Sequence, residues 1–261
     1  WRNLPATISN SGFEIALMGA IIRNTDMQWN LGFNLALLKN EVKDLVGNYE
    51  TGALHGQGIT GATVQRLTSG QPLNMYYTRK FEGLDKATGL GIYTHNEANF
   101  YQGSPNPRQV YGITSDFTWK KLFAVINMNG AAGHFLYNNT YNSIIPIGNL
   151  GTRNIASSLI GGPIQENQSN AIKASSRYME KGDYMKLANA TIGYRLGSLG
   201  KAFSNVTATI TGQNLFIISS FKGFDPEVNV DKNVQGVPSF GIEYSPYPSA
   251  RTILFGLNFS L

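Results

Sequence analysis

The chain has 261 residues, a formal charge of +5 and only 14% charged side chains, against about 25% in ordinary globular domains. It has no cysteine, which excludes disulfides, thiolate metal sites and a cysteine nucleophile. No apolar run approaches about 18 residues, so no membrane-spanning helix is expected. The basic residues are scattered, with only Lys120-Lys121 adjacent, which leaves no stripe for a nucleic acid.

Glycine (29) and tyrosine (13) are abundant, and period-two alternation recurs in segments of about ten residues. In chain order the pattern predicts strands over 13–22, 27–38, 58–68, 73–83, 110–119, 122–130, 188–196, 204–214 and 251–261. In the second, Met27, Trp29, Leu31, Phe33, Leu35 and Leu37 alternate with Gln28, Asn30, Gly32, Asn34 and Ala36. In the seventh, Ala188, Ala190, Ile192, Tyr194 and Leu196 alternate with Asn189, Thr191, Gly193 and Arg195. In the last, Ile253, Phe255, Leu257, Phe259 and Leu261 share one row, with Gly256, Asn258 and Ser260 on the other.

Alternation alone fits a soluble β-sandwich as well as a membrane barrel, because either has one apolar and one polar sheet face. The connections discriminate. Residues 23–26, 69–72, 120–121 and 197–202 are short; 39–57, 84–109, 131–183 and 217–250 are long. Strict alternation of short and long is the rule of outer-membrane barrels, with short periplasmic turns and long extracellular loops. The expected fold class is therefore all-β, a transmembrane antiparallel β-barrel. Nine strands are an odd number, so the chain is expected not to close alone but to form part of a larger barrel.

Other constellations are weaker. Asp225, Glu227 and Asp231 are oxygen ligands of the kind calcium takes, or part of a loop built around Pro226. Asp85 to Gly89 reads as a turn. His55, His95 and His134 are far apart with no metal-binding or triad spacing. Gly56 to Gly61 lacks the Lys-Ser/Thr of a phosphate loop. No catalytic residue, metal or cofactor is assigned.

Several runs in this order resemble one family. They are Asn10-Ser11-Gly12-Phe13-Glu14, Trp29-Asn30-Leu31-Gly32-Phe33, Ser69-Gly70-Gln71-Pro72 with Tyr76-Tyr77, and Gly103-Ser104-Pro105-Asn106-Pro107. Ser176-Arg177-Tyr178-Met179-Glu180-Lys181-Gly182-Asp183-Tyr184-Met185-Lys186-Leu187 follows, then Gly212-Gln213-Asn214-Leu215-Phe216, Gly223-Phe224-Asp225-Pro226-Glu227 and Tyr247-Pro248-Ser249. Together they resemble the C-terminal strands of SusC/RagA-type TonB-dependent outer-membrane transporters. Lys186, Ala188 and the final Leu261 depart from the usual pattern.

The resemblance implies active nutrient import by a plugged barrel of about 22 strands, with residues 1–261 as its C-terminal portion and the plug upstream. It implies a SusD-like surface lipoprotein, the TonB complex acting through the N-terminal region, a glycan or peptide substrate, and outer-membrane lipid. Asn30, Asn34, Asn127, Asn189, Thr209, Gln213 and Asn258 would then face the lumen. Trp29, Leu31, Phe33, Phe255, Leu257 and Phe259 would face lipid, and the loop aromatics Tyr101, Tyr137 and Tyr141 are candidates to touch ligand. A passive porin, a small structural barrel and a soluble secreted sandwich are the rival readings.

Overall fold

The computed structural model describes residues 5–54, 59, 61–144, 146–227 and 239–260. Seven long strands form one antiparallel sheet in chain order. They are β1 (Thr7–Arg23), β2 (Met27–Lys43), β3 (Gln109–Trp119), β4 (Leu122–Ala132), β5 (Tyr184–Leu199), β6 (Phe203–Ser219) and β7 (Thr252–Ser260). Among the described residues β1 and β7 are the two sheet edges, each paired on one side only.

Three tight turns lie at one end of this sheet. Asn24 builds the first: its side-chain oxygen accepts from the backbone N–H groups of Asp26 (3.0 Å) and Met27 (2.7 Å), an Asx arrangement that reverses the chain. The second is the two-residue Lys120-Lys121, with Lys120 at φ 51°. The third is centred on Gly200, whose φ of 65° lies where glycine escapes the Cβ penalty. The other end carries the connections 44–108, 133–183 and 220–251, whose described residues fold together as a cap.

The cap corrects the strand count. The runs expected at 58–68 and 73–83 are not members of the long sheet, and β2 pairs directly with β3. Thr63–Leu67 and Met75–Arg79 instead lie in a four-stranded cap sheet with Tyr49–Ala53 and Asn99–Gly103. Five residues extend only about 17 Å, short of the roughly ten residues a tilted strand needs to cross a bilayer. Among the described residues the long strands number seven, not nine, and the turn expected at 69–72 belongs to the cap.

A three-stranded cap sheet orders Met179–Lys181, Phe135–Asn138 and Ile242–Glu243, and a short helix, α1 (Asn139–Ile144), follows it. The buried core sits here: Leu54, Val64, Tyr76, Tyr137, Ala174, Tyr178 and Ile242 pack together, flanked by Phe135, Tyr141 and Met179.

Candidate functional site

The cross-strand register sorts the long sheet into two faces, since directly paired residues of neighbouring strands point the same way. Along one face, Asn30 pairs with Asp116 and Asn34 with Gly112. Asn127 pairs with Asn189, Asn189 with Gln213 and Gly193 with Thr209, and Thr207 with Asn258. All seven polar residues singled out from the sequence thus share one face. Asn127 donates to Asn189 (2.7 Å), and the hydroxyls of Thr191 and Thr211 meet at 2.8 Å.

The opposite face is apolar. Phe33 pairs with Leu17 and Ile113, Ile192 with Ile210, and Ile210 with Phe255. Trp29, Leu31, Phe33, Phe255, Leu257 and Phe259 all belong to it, and Phe255 is 80% exposed. Toward the tight-turn end this face turns aromatic. Trp29 pairs with Phe117 and Met27 with Trp119, and Phe203 packs edge-on against Phe259 at 5.0 Å. The Trp29 indole N–H donates to Ser115 (3.0 Å), so the ring buries no unpaired donor.

A bulge at Ala188 shifts the phase of β5. Strict alternation would put Ala188 in the row of Ala190; instead Leu187 pairs with Met128 on the apolar face and Lys186 with Asn129 on the polar one. Lys186 there forms an ion pair with Glu227, and Glu227 also accepts from Asn129 (3.3 Å). The Gly223–Glu227 run thereby folds down onto the polar face at the cap end. Asp225 is a turn builder: it accepts from the backbone of Glu227 (2.9 Å) and from Ser249 (2.7 Å). Asp231 lies outside the described residues, and among those described no group of three or more His, Cys, Asp or Glu could hold a metal ion.

The long motif 176–187 straps the cap to the sheet. Arg177 grips the buried Glu166 with both arms, at 2.7 and 2.5 Å, and Asn170 donates to the same carboxylate (2.6 Å). Burial opposes ionisation of Glu166, but the guanidinium and amide outweigh it and hold the carboxyl below its ordinary range. Glu180 accepts from Asn138 (3.0 Å) and from the backbone of Lys222 (2.7 Å). Gly182 leaves room for His134, since a Cβ there would collide with the imidazole Nε2. Asp183 accepts from Gly133 (2.7 Å), where the cap rejoins β4.

The loop aromatics divide. Tyr137 is fully buried in the cap core, where its packing against Tyr178 closes it to any ligand; this corrects the expectation that it could touch one. Tyr101 is 37% exposed, leaning on Tyr77 at 4.9 Å with its hydroxyl 2.6 Å from that of Thr68. Tyr141 stands edge-on to Tyr178 at 5.7 Å and lines a cap cavity with Lys222 and Phe224. Burial depresses the pKa of His134, His95 rests against Phe100, and His55 lies outside the described residues. Glu166 carried no signal in the sequence, because its spacing from Arg177 does not report the pair.

A seven-stranded meander with one polar face, one exposed apolar face, tight turns at one end and long structured loops at the other has the architecture of part of a transmembrane antiparallel β-barrel. No family model matches the chain. It is 24% identical, over 96% of its length, to TonB-dependent receptor P3 of Formosa agariphila. It is 25% identical, over 97% of its length, to TonB-dependent receptor SusC of Bacteroides thetaiotaomicron. Among solved structures, the RagAB peptide transporter matches with a TM-score of 0.73 at 17% identity, over 96% of this chain and 29% of that one. The RagAB peptide importer in its open-open state matches with a TM-score of 0.76 at 18% identity, over 98% of this chain and 29% of that one. Over nearly its whole length the chain is similar to TonB-dependent receptors of the SusC type. It spans 28% of the first relative's length and 26% of the second's.

Proposed function

We propose that residues 1–261 are the C-terminal part of the barrel of a TonB-dependent transporter that imports nutrients across the bacterial outer membrane. The observation that carries this reading is the two-faced register of the long sheet. An apolar face as continuous as the row from Leu17 through Phe33 to Ile113 suits hydrocarbon. The facing row of Asn, Thr and Gln suits a hydrated lumen filled by a plug. Lipid offers no hydrogen bonds, so the free edges of β1 and β7 are expected to pair with barrel strands upstream.

The tight turns then lie in the periplasm and the cap outside the cell. The aromatic end of the apolar face marks the periplasmic interface. The kinship with SusC and RagA supports a SusD-like lipoprotein over the cap, TonB engaged through the upstream region, and a glycan or peptide as cargo. A passive porin has no use for a plug or TonB.

Whole-cell labelling tests the orientation. A cysteine at Tyr247, which is 92% exposed at the cap end, should react with a membrane-impermeant maleimide on intact cells. One at Ser198, beside a tight turn, should react only after the outer membrane is breached. The reverse pattern would overturn the orientation.

A further inference from the structure

A carboxylate sealed inside a protein is costly unless a cation or several donors meet it. Glu243, in the three-stranded cap sheet, is 0% exposed, and among the described residues neither of its carboxyl oxygens has a hydrogen-bond partner. It pairs in register with Asn138, whose amide donates to Glu180 (3.0 Å). Glu243 and Glu180 therefore stand on one face of that sheet with Asn138 between them. The 221–224 run crosses this face. The Lys222 backbone N–H donates to Glu180 (2.7 Å), and a Cβ on Gly223 would lie 3.3 Å from the Glu243 carboxyl carbon. Thr140 borders the same carboxyl, its hydroxyl accepting from the Ser245 backbone N–H (2.6 Å). Two cations line the neighbouring cavity, and neither serves Glu243. Arg177 holds Glu166 with both arms, and Lys222 is exposed.

We propose that Glu243 and Glu180 form a calcium site that locks the 220–251 connection onto the three-stranded cap sheet. Ionised, Glu243 has two bare oxygens beside a second carboxylate. Protonated, it loses the charge but keeps an O–H with no acceptor, which is itself unfavourable in a buried place. A cation between the two carboxylates satisfies the oxygens and cancels the repulsion. Burial, with the Glu180 charge added, raises the pKa of Glu243 above the usual carboxylate range; a bound cation would reverse that. The donors are all oxygen, which suits a hard cation rather than zinc or copper. Calcium takes six to eight oxygens in irregular geometry, many of them neutral. The side chains of Asn138 and Thr140 and the carbonyls of the 221–224 run adjoin the carboxylates and can supply neutral ones. Magnesium demands a tighter octahedron and gives up its water reluctantly. Two carboxylates make a weak site, of about 0.1–1 mM, the range of calcium modules outside cells. The site lies wholly within the cap, so the inference goes beyond the uptake reading and does not depend on it.

The test is hydrogen exchange on the full-length, detergent-extracted protein at neutral pH, in excess chelator and then in millimolar calcium chloride or magnesium chloride. Calcium should slow exchange at least tenfold in residues 135–143, 179–181, 221–225 and 242–243, and leave β1 to β7 unchanged. Magnesium at the same concentration should do much less. Glu243→Gln keeps the shape and removes the charge. In chelator its cap should be at least as protected as that of the wild type, and calcium should add nothing. Reading these segments alone keeps any other calcium site in the full chain out of the result. Wild-type exchange that is the same in chelator and in calcium would mean that Glu243 is held as the neutral acid, and would overturn the proposal. So would equal protection by magnesium, a Glu243→Gln cap that still responds to calcium, or one that is less protected than the wild type in chelator. The wild-type comparison needs no variant, so a substituted protein that fails to fold leaves the test intact.

Discussion

In the long sheet, Phe33, Ile192, Ile210, Phe255 and Leu257 stand on the surface; in the cap, Leu54, Val64, Tyr76, Tyr137 and Ile242 are all but sealed from it. One chain obeys opposite solvent rules at its two ends. The cap meets water, so it hides its apolar side chains in a core, as soluble domains do. The sheet instead exposes apolar side chains on adjoining strands, Leu17 beside Phe33 and Ile210 beside Phe255, a kind of display that soluble monomers keep small. Lipid is the solvent that removes the penalty. The difference also divides the kinds of force: the sheet is held by its ladder and the bilayer, the cap by packing and by polar contacts distant in sequence.

The cap is the easier half to break. Arg177→Met should leave the Glu166 carboxylate buried without its cation, which costs about 3–5 kcal/mol in comparable pairs. Hydrogen exchange should report faster opening of residues 84–91 and 165–178, while β1 to β7 stay protected. Uniform loss of protection in the sheet would mean that the two regions do not fold by separate rules.

The sheet should answer to lipid. Leu31→Arg on the apolar face is expected to cost roughly 2–4 kcal/mol of barrel stability, and Asn30→Arg on the polar face distinctly less. Equal costs in a denaturant titration in vesicles would remove the distinction between the faces.

Acid should loosen the cap first. The Glu166 carboxyl has a folded pKa below its ordinary value despite burial, because Arg177 and Asn170 hold the ionised form. Its stabilisation is present above the unfolded value near 4.5 and is lost as pH falls through the lower folded value. Proteolysis of the cap should therefore rise below about pH 4.5, and Glu166→Gln should make that rise shallower. A cap equally resistant at every pH down to its global unfolding would contradict the assignment.

The smallest effect is expected where cap and sheet meet. Lys186→Met removes the ion pair with Glu227, worth about 0–1 kcal/mol where water reaches it. The change should show as greater mobility of a spin label at Phe224, with no change in melting temperature.

This contrast also explains what could be read in advance. The sheet was legible because a strand with two different faces writes its register into every second residue. Alternation alone places Asn30 and Thr209 on one face and Leu257 on the other. The bulge at Ala188 was not legible, because it changes phase within a run of small residues that fits either row. The cap resisted for a different reason. Thr63–Leu67 and Met75–Arg79 have strand composition, yet nothing local says that Gln65 will donate to the Phe240 carbonyl (2.5 Å) rather than face a lumen. Tyr137 looked like a ligand contact for the same reason: an aromatic in a long loop gives no sign of whether the loop builds its own core. The pairing of Glu166 with Arg177 is likewise invisible until two loop turns have been folded against each other.

The polar face is expected to line the barrel and the apolar face to meet hydrocarbon. Nitroxide spin labels at Leu31, Leu257, Asn30 and Asn258 of the full-length protein in lipid vesicles measure this directly, through collision with oxygen, which concentrates in hydrocarbon, and with a water-soluble nickel complex. Strong oxygen broadening and little nickel contact are expected at Leu31 and Leu257, and weak oxygen broadening at Asn30 and Asn258. Strong oxygen broadening at Asn30 and Asn258, or nickel contact at all four positions, would contradict it.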